Sequence, residues 1–173
     1  MKFVTYNIQF GVGRDGHTNL DRIARTVDGA DVIALQEVTR AWPSVADGDQ
    51  PHQLAERLGD YHWVYAPSVD IPHPSPATDA SSRGARQQFG NMLLSRNPIV
   101  ATRIHPLPRH ETADIPRVAL EGVIETPACG LLRVYCVHLA YKEHSEREAQ
   151  VQALIGLYRN AWGSKSHITP LPA

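Results

Sequence analysis

Apolar and polar positions along this chain alternate between two rhythms, short unbroken apolar runs and runs spaced at helical intervals. Residues 2 to 8, "KFVTYNI", begin apolar and read as a strand carrying Asn7 near its exit. Leu20, Ile23, Ala24 and Val27 then recur at the spacing of one helix face, with Asn19 or Thr18 to cap the start and Gly29 to end it. The intervening "GVGRDGH" lacks the Gly-Lys-Ser/Thr ending of a P-loop and the full dinucleotide-binding spacing, so it reads as a turn. Next comes "DVIALQEVTR", in which Val32, Ile33, Ala34 and Leu35 form an unbroken apolar run, the mark of a strand covered on both faces.

"PHQLAERLG" reads as a short helix ended by Gly59, and "YHWVYAP" as a strand. The stretch "SVDIPHPSPATDASSRGARQQ" is rich in Pro, Ser and Asp and without periodicity, which predicts a long loop suited to holding substrate. "FGNMLLSRNPIV" gives a strand, a turn at Asn97-Pro98 and a second strand through Ile104. "RVALEGVIET" and "LLRVYCVHL" flank Pro127-Ala128-Cys129-Gly130, a hairpin signal with Gly where positive φ is needed. Ser145 and Glu148 fit a capping box for a last helix with Ala149, Leu154, Leu157, Tyr158 and Ala161 on its apolar face. Strand, helix and strand, then hairpins and a late helix, predict a mixed α/β sheet structure.

Three predicted strands end on groups with chemistry. The first carries Asn7, the second stops on Gln36 and Glu37, and the hairpin's second strand brings out His138 after Cys136 and Val137. Singly each has an ordinary explanation: a carboxylate meeting water, a turn-forming Asn, a structural His. Together, an amide, a carboxylate and an imidazole at strand ends suit one hard cation and an anionic substrate.

Composition narrows the setting. With 173 residues, 42% hydrophobic, the chain is long enough for one well-buried domain. Two cysteines make no disulfide framework, the start does not read as a signal peptide, and no run approaches a membrane span; a cytoplasmic location is the expectation. The net charge of -1 argues against coating nucleic acid by bulk attraction, yet residues 81 to 117 hold six arginines (Arg83, Arg86, Arg96, Arg103, Arg109 and Arg117) against two acids. That segment is either a phosphate-binding set or a scattered surface one.

"TYNI" with Asn7, "ALQEV" with Glu37, "GNMLLSRNPI" with Asn91, "PRVAL" with Arg117 and "VYCVHL" with His138 resemble, in order, the successive motifs of the endonuclease/exonuclease/phosphatase family, the DNase I-like superfamily. The resemblance implies a four-layered α/β sandwich and a Mg²⁺-dependent phosphoesterase, with Mn²⁺ as a substitute. Glu37 would hold the metal and Asn7 would help hold it or the phosphate beside it. His138 would be catalytic, hydrogen-bonding a phosphate oxygen as charge gathers there, with Asn7 assisting. Asn91 and Arg117 are substrate-binding candidates, and Gln36 would orient Glu37. Nucleic acid, lipid and small phosphoesters are not separated.

The chain departs from the family pattern in one large respect. The family's Gly-Asp-x-Asn motif and terminal Asp-His pair have no counterpart, because the last Asp is Asp114 and His167 follows Ser166. The expectation is therefore residues 1-162 as the amino-terminal part of the family domain, incomplete at the carboxyl end, and 163-173 as an irregular tail. A weakly active phosphodiesterase follows, with a second chain or a missing carboxyl-terminal half as its complement. The competing reading is a non-catalytic binder of a phosphorylated ligand or partner protein.

Overall fold

The computed structural model describes residues 1–43, 48–73, 85–111 and 115–163, with the side chains of 162 and 163 left aside. Seven strands form two sheets: β1 (Phe3–Asn7), β2 (Val32–Arg40), β4 (Arg86–Ser95) and β3 (His62–Pro72) in that spatial order, and β5 (Ile99–Pro106), β6 (Val118–Thr126) and β7 (Gly130–Val137) in the other. The first pair, β1 and β2, is parallel, and every other pairing is antiparallel. Helices α1 (Leu20–Val27) and α2 (Gln50–Arg57) cover the outer face of the larger sheet. The α/β sandwich expected from the motifs is thus present as helices, sheet and sheet, with α3 (His144–Gly163) following β7.

Each apolar rhythm finds its own partner. The helical stripe Leu20, Ile23, Ala24 and Val27 packs with Ile33, Leu35, Met92 and Leu94 of the sheet beneath. The opposite sheet face supplies Val32, Ala66 and Leu93, which meet Val118, Leu120, Ile124 and Cys136 of the smaller sheet. Both faces of β2 are therefore covered, as its unbroken apolar run required. Asn19 caps α1 by accepting the Arg22 N–H, and Gly130 closes the β6–β7 hairpin at φ 70°.

Two expectations need correction. The long Pro- and Ser-rich loop is shorter than its composition suggested, because Ser68 to Pro72 continue β3 and pair as far as Pro72 opposite Arg86. Pro67 and Pro72 are tolerated there because β3 is an edge strand, where a missing N–H breaks no ladder on the open side. Residues 74–84, the rest of that loop, lie outside the described residues, as do 164–173 of the expected tail. At the other end, α3 begins at His144, so Ser145 sits inside the first turn rather than at its cap. Its anchors are polar: buried Gln150 accepts the Ala140 N–H and donates to the Pro108 carbonyl. Ala149 and Tyr158 of the expected apolar face are exposed, and Leu154, Leu157 and Ala161 only half-buried.

Gly90 shows how tightly the larger sheet is closed. It pairs with Val38 on one side and Pro67 on the other, and a Cβ built there would land on the Ala66 carbonyl oxygen and 2.7 Å from the Pro67 Cα. Backbone cannot swing aside as a side chain can. Gly90→Ala is expected to cost about 3 kcal/mol, at the upper end of overpacking effects, read as a lowered urea midpoint with an unchanged slope.

Candidate active site

Parallel pairing of β1 and β2 sets Asn7 opposite Gln36, so both strands finish at the same edge of the sheet. The register of β2 against β4 slips between Gln36 and Val38, which makes Glu37 the extra residue of a bulge. Its φ is 60°, a left-handed conformation uncommon for a residue with a Cβ and one that collects at functional sites. In unbroken alternation Glu37 would point away from the face that Asn7 and Gln36 share; at the bulge its carboxylate instead meets Asn7 and lies near His138. Gln36 turns into the space between the sheets and donates to Thr5 Oγ1, the Ala34 carbonyl and Cys136 Sγ. It makes no hydrogen bond to Glu37, so the orienting role expected of Gln36 falls to Asn7.

Asn7 Nδ2 donates to Glu37 Oε1 at 3.0 Å, and Asn7 Oδ1 accepts the Gln9 N–H at 2.9 Å. His138, the first residue after β7, brings its Nε2 to 3.7 Å from the same Glu37 oxygen. Arg117 lies immediately before β6, and β6–β7 pairing puts it beside His138, with Nη1 2.9 Å from Nδ1. Four of the five expected site residues thus converge: Asn7, Glu37, Arg117 and His138.

That last contact fixes the imidazole. A guanidinium only donates, so Nδ1 must present its lone pair and the neutral ring must carry its proton on Nε2. At 3.7 Å the Glu37 oxygen is beyond hydrogen-bonding range of that proton. Nε2–H is therefore an available donor at the mouth of the site. Burial, reinforced by the Arg117 charge and opposed by Glu37, pushes the His138 pKa below the usual 6.5, which keeps the ring neutral near pH 7. Burial likewise lowers Arg117 from its ordinary value, with Glu37 working the other way.

The His138 shift has a measurable sign. Below 6.5 the unfolded chain takes up a proton that the folded chain resists, so this residue's contribution is complete above 6.5 and is lost as pH falls through the lowered folded value. Arg117→Met is expected to raise the His138 midpoint, since it removes the cation but leaves the ring half-buried. Imidazole nitrogen chemical shifts followed through a pH titration, in chelator, check this; an unmoved midpoint would mean that Arg117 does not set the ring's state.

Asn91 is placed differently. It is buried on β4, and its Nδ2 donates to the Val118 and Cys136 carbonyls at 3.1 and 3.3 Å. Both amide protons are engaged in tying the two sheets together, which leaves only an acceptor for any ligand. Of the arginine-rich segment, Arg117 lies at this site, whereas Arg86 pairs with Asp70, Arg96 reaches Asp28 and lies over the Tyr61 ring, and Arg83 is outside the described residues. One neighbour went unnoticed in the sequence: the buried ring of Phe89, 6.3 Å from His138.

The donor set suits a sparse oxygen-ligated cation. Among the described residues no three His, Cys, Asp or Glu side chains gather. Mg²⁺ does not need such a gathering, since it retains waters and is commonly held by one or two carboxylates and a phosphate. Glu37 Oε2 carries no hydrogen bond among the described residues, and the Asn7 oxygen retains a lone pair.

Solved structures share this architecture. An endonuclease/exonuclease/phosphatase from Beutenbergia cavernae superposes with a TM-score of 0.71 at 26% identity, over 90% of this chain and 43% of that one. An endonuclease/exonuclease/phosphatase family protein from Leptotrichia buccalis gives 0.64 at 17% identity, over 91% and 62%. A 3'-5' exonuclease from Neisseria meningitidis gives 0.55 at 17%, over 94% and 53%. The chain therefore spans about half the length of these proteins. The model of the Endonuclease/Exonuclease/phosphatase family matches residues 4–167, from β1 to beyond α3, and the chain belongs to that family.

Proposed function

We propose that the chain carries the cation-and-phosphate half of a metal-dependent phosphodiesterase site, with Glu37 and Asn7 holding Mg²⁺ or Mn²⁺ and His138 and Arg117 facing the phosphate. The observation that carries this reading is the 2.9 Å contact of Arg117 Nη1 with His138 Nδ1, which leaves Nε2 as the donor beside the Glu37 carboxylate. A phosphoryl oxygen gathering charge needs such a donor, already oriented and partly withdrawn from water. When bound, the cation supplies charge neutralisation on the phosphoryl group. Arg117 adds a fixed positive charge and holds the imidazole; Asn7 holds the Glu37 carboxylate. For Asn91 the engaged amide protons favour a structural role over phosphate contact.

Water activation is the function these residues lack. The family's Asp-bearing motifs have no counterpart after Asp114, so the reading includes weak activity for the chain of 1-162 plus tail, unless a carboxyl-terminal half or second chain supplies those groups. The same observation favours the second reading, a non-catalytic binder of phosphorylated ligands. The gene's nucleotide sequence beyond codon 160, read in three frames, separates the two: Gly-Asp-x-Asn followed by Asp-His favours the enzyme, their absence the binder. No helix among the described residues is long and apolar enough to cross a membrane. Free Cys129 and Cys136 suit a reducing, cytoplasmic setting.

The direct assay is prolonged incubation with a generic phosphodiester and with DNA, each with Mg²⁺ and with chelator. Slow hydrolysis abolished by chelation is expected; hydrolysis indifferent to chelation would remove the cation from the account.

A further inference from the structure

The contact that sets the His138 ring is made where the smaller sheet has already ended. The β6–β7 ladder stops at the pair Ala119 and Val137, so Arg117 and His138 lie beyond its last pair, with Nη1 and Nδ1 2.9 Å apart. Two side chains that meet past the end of a ladder lose their register to conformational freedom unless their backbones are held by something else. On the Arg117 side the hold is clear. The Leu107 N–H donates to the Arg117 carbonyl at 3.0 Å, one step past the last β5–β6 pair, Pro106 and Val118. On the other side the chain leaves β7 through His138, Leu139 and Ala140 on its way to α3.

One buried amide joins the two segments. Gln150, in the second turn of α3 and fully buried, accepts the Ala140 N–H at 2.8 Å and donates to the Pro108 carbonyl at 3.0 Å. Ala140 stands two residues past His138, and Pro108 follows the residue that bonds Arg117. The second amide proton of Gln150 goes to Glu146 Oε1 at 3.1 Å, so both donors and the carbonyl are engaged. Arg147 tightens the same turn, with Nη1 3.1 Å from the Ala140 carbonyl oxygen and 3.3 Å from that of Tyr141. Glu146 is itself buried and within electrical reach of Arg117: burial lowers Arg117 from its ordinary value, and Glu146 joins Glu37 in opposing that. An apolar residue at position 150 would bury equally well but would fix no distance, because hydrophobic contact has no direction. A hydrogen-bonded amide does fix one.

We propose that Gln150 is a positioning residue, the clasp that holds the turn after His138 against the segment bonded to Arg117 and so keeps the Arg117–His138 contact in register. It acts through that contact alone. Its consequence for ligand binding rests on the phosphoester reading of the site; its effect on the contact does not.

Nitrogen NMR of the full chain in chelator at pH 8, where His138 is neutral, reads the contact as a coupling across the hydrogen bond from Arg117 Nη1 to His138 Nδ1. Calorimetric titration with inorganic phosphate in Mg²⁺ reads the consequence. Gln150→Met, similar in size but without the hydrogen bonds, should lose the coupling and bind phosphate about 10-fold more weakly, as loss of one hydrogen bond to a charged group provides. Gln150→Asn, one methylene too short to span both segments, should do the same and serves if Gln150→Met does not fold. Tyr61→Phe removes a buried hydrogen bond to the Ala30 carbonyl, before the start of β2, and should keep the coupling even where its thermal melt shows a comparable loss of stability. Coupling retained in a folded Gln150 variant overturns the proposal, as does no coupling in the wild type. Coupling lost in Tyr61→Phe overturns it too, since general loosening would then be enough. Phosphate affinity unchanged when the coupling is lost overturns the functional consequence, and a wild type that shows the coupling but binds no phosphate sinks the phosphate reading while the clasp stands.

Discussion

Extended with a family-like carboxyl-terminal half, the chain is expected to hydrolyse a phosphodiester about 10² to 10⁴ times faster in Mg²⁺ than it does as written, the range that general base action and water positioning provide. The reason lies in the groups present. Residues 115 to 173 contain no Asp, so neither motif that would orient or deprotonate the water is available. His138 is a poor replacement as base. Its acceptor nitrogen, Nδ1, is engaged by Arg117, and the nitrogen facing the site already carries the proton. Glu37 is held by Asn7 and is the carboxylate that the proposed reading assigns to the cation. Comparable turnover by the short chain would show that another group activates water and that the site is drawn in the wrong place.

The strand ends were legible in the sequence because burial forces a pattern. An unbroken apolar run such as Val32 to Leu35, short and opened by two β-branched residues, reads as an interior strand, and the first polar residues beyond it emerge at its edge. Asn7, Glu37 and His138 were found in that way. The bulge at Glu37 left no trace, since its φ of 60° belongs to a residue type with no preference for it. Nor could spacing foresee that Arg117 would hold His138 across 21 positions; that distance exists only once β6 and β7 pair. Asn91 sat in a recognisable motif, but the motif did not say which way the side chain faced.

The misread segments have equally physical causes. Ser68 to Pro72 looked like loop because Pro and Ser are poor strand formers in general, yet an edge strand excuses them. In α3 the apolar residues are spread around the helix rather than gathered on one face, and a side chain is buried only where something packs on it. Val151, Ile155 and Tyr158 remain 38%, 37% and 59% exposed, while Glu146 and Gln150 are buried at the anchored end. Phe89 gave no signal because it and His138 come from separate segments with no shared period.

The second large effect is on metal affinity. Glu37→Gln keeps the side chain's shape and its place at the bulge, but removes the only negative charge among the site's four converging groups. A hard cation held by a single carboxylate depends on that charge, since an amide oxygen and waters alone barely compete with bulk hydration. Mg²⁺ affinity is expected to fall by at least about 100-fold, or roughly 2.7 kcal/mol. The fold should persist, because Glu37 is partly exposed and an amide can still meet the Asn7 side chain. Calorimetric titration of both proteins with Mg²⁺, repeated with Mn²⁺ and paired with thermal melts, tests the central claim most directly. A steep loss of affinity at nearly constant melting temperature is the predicted result; equal metal affinity in wild type and Glu37→Gln would contradict it.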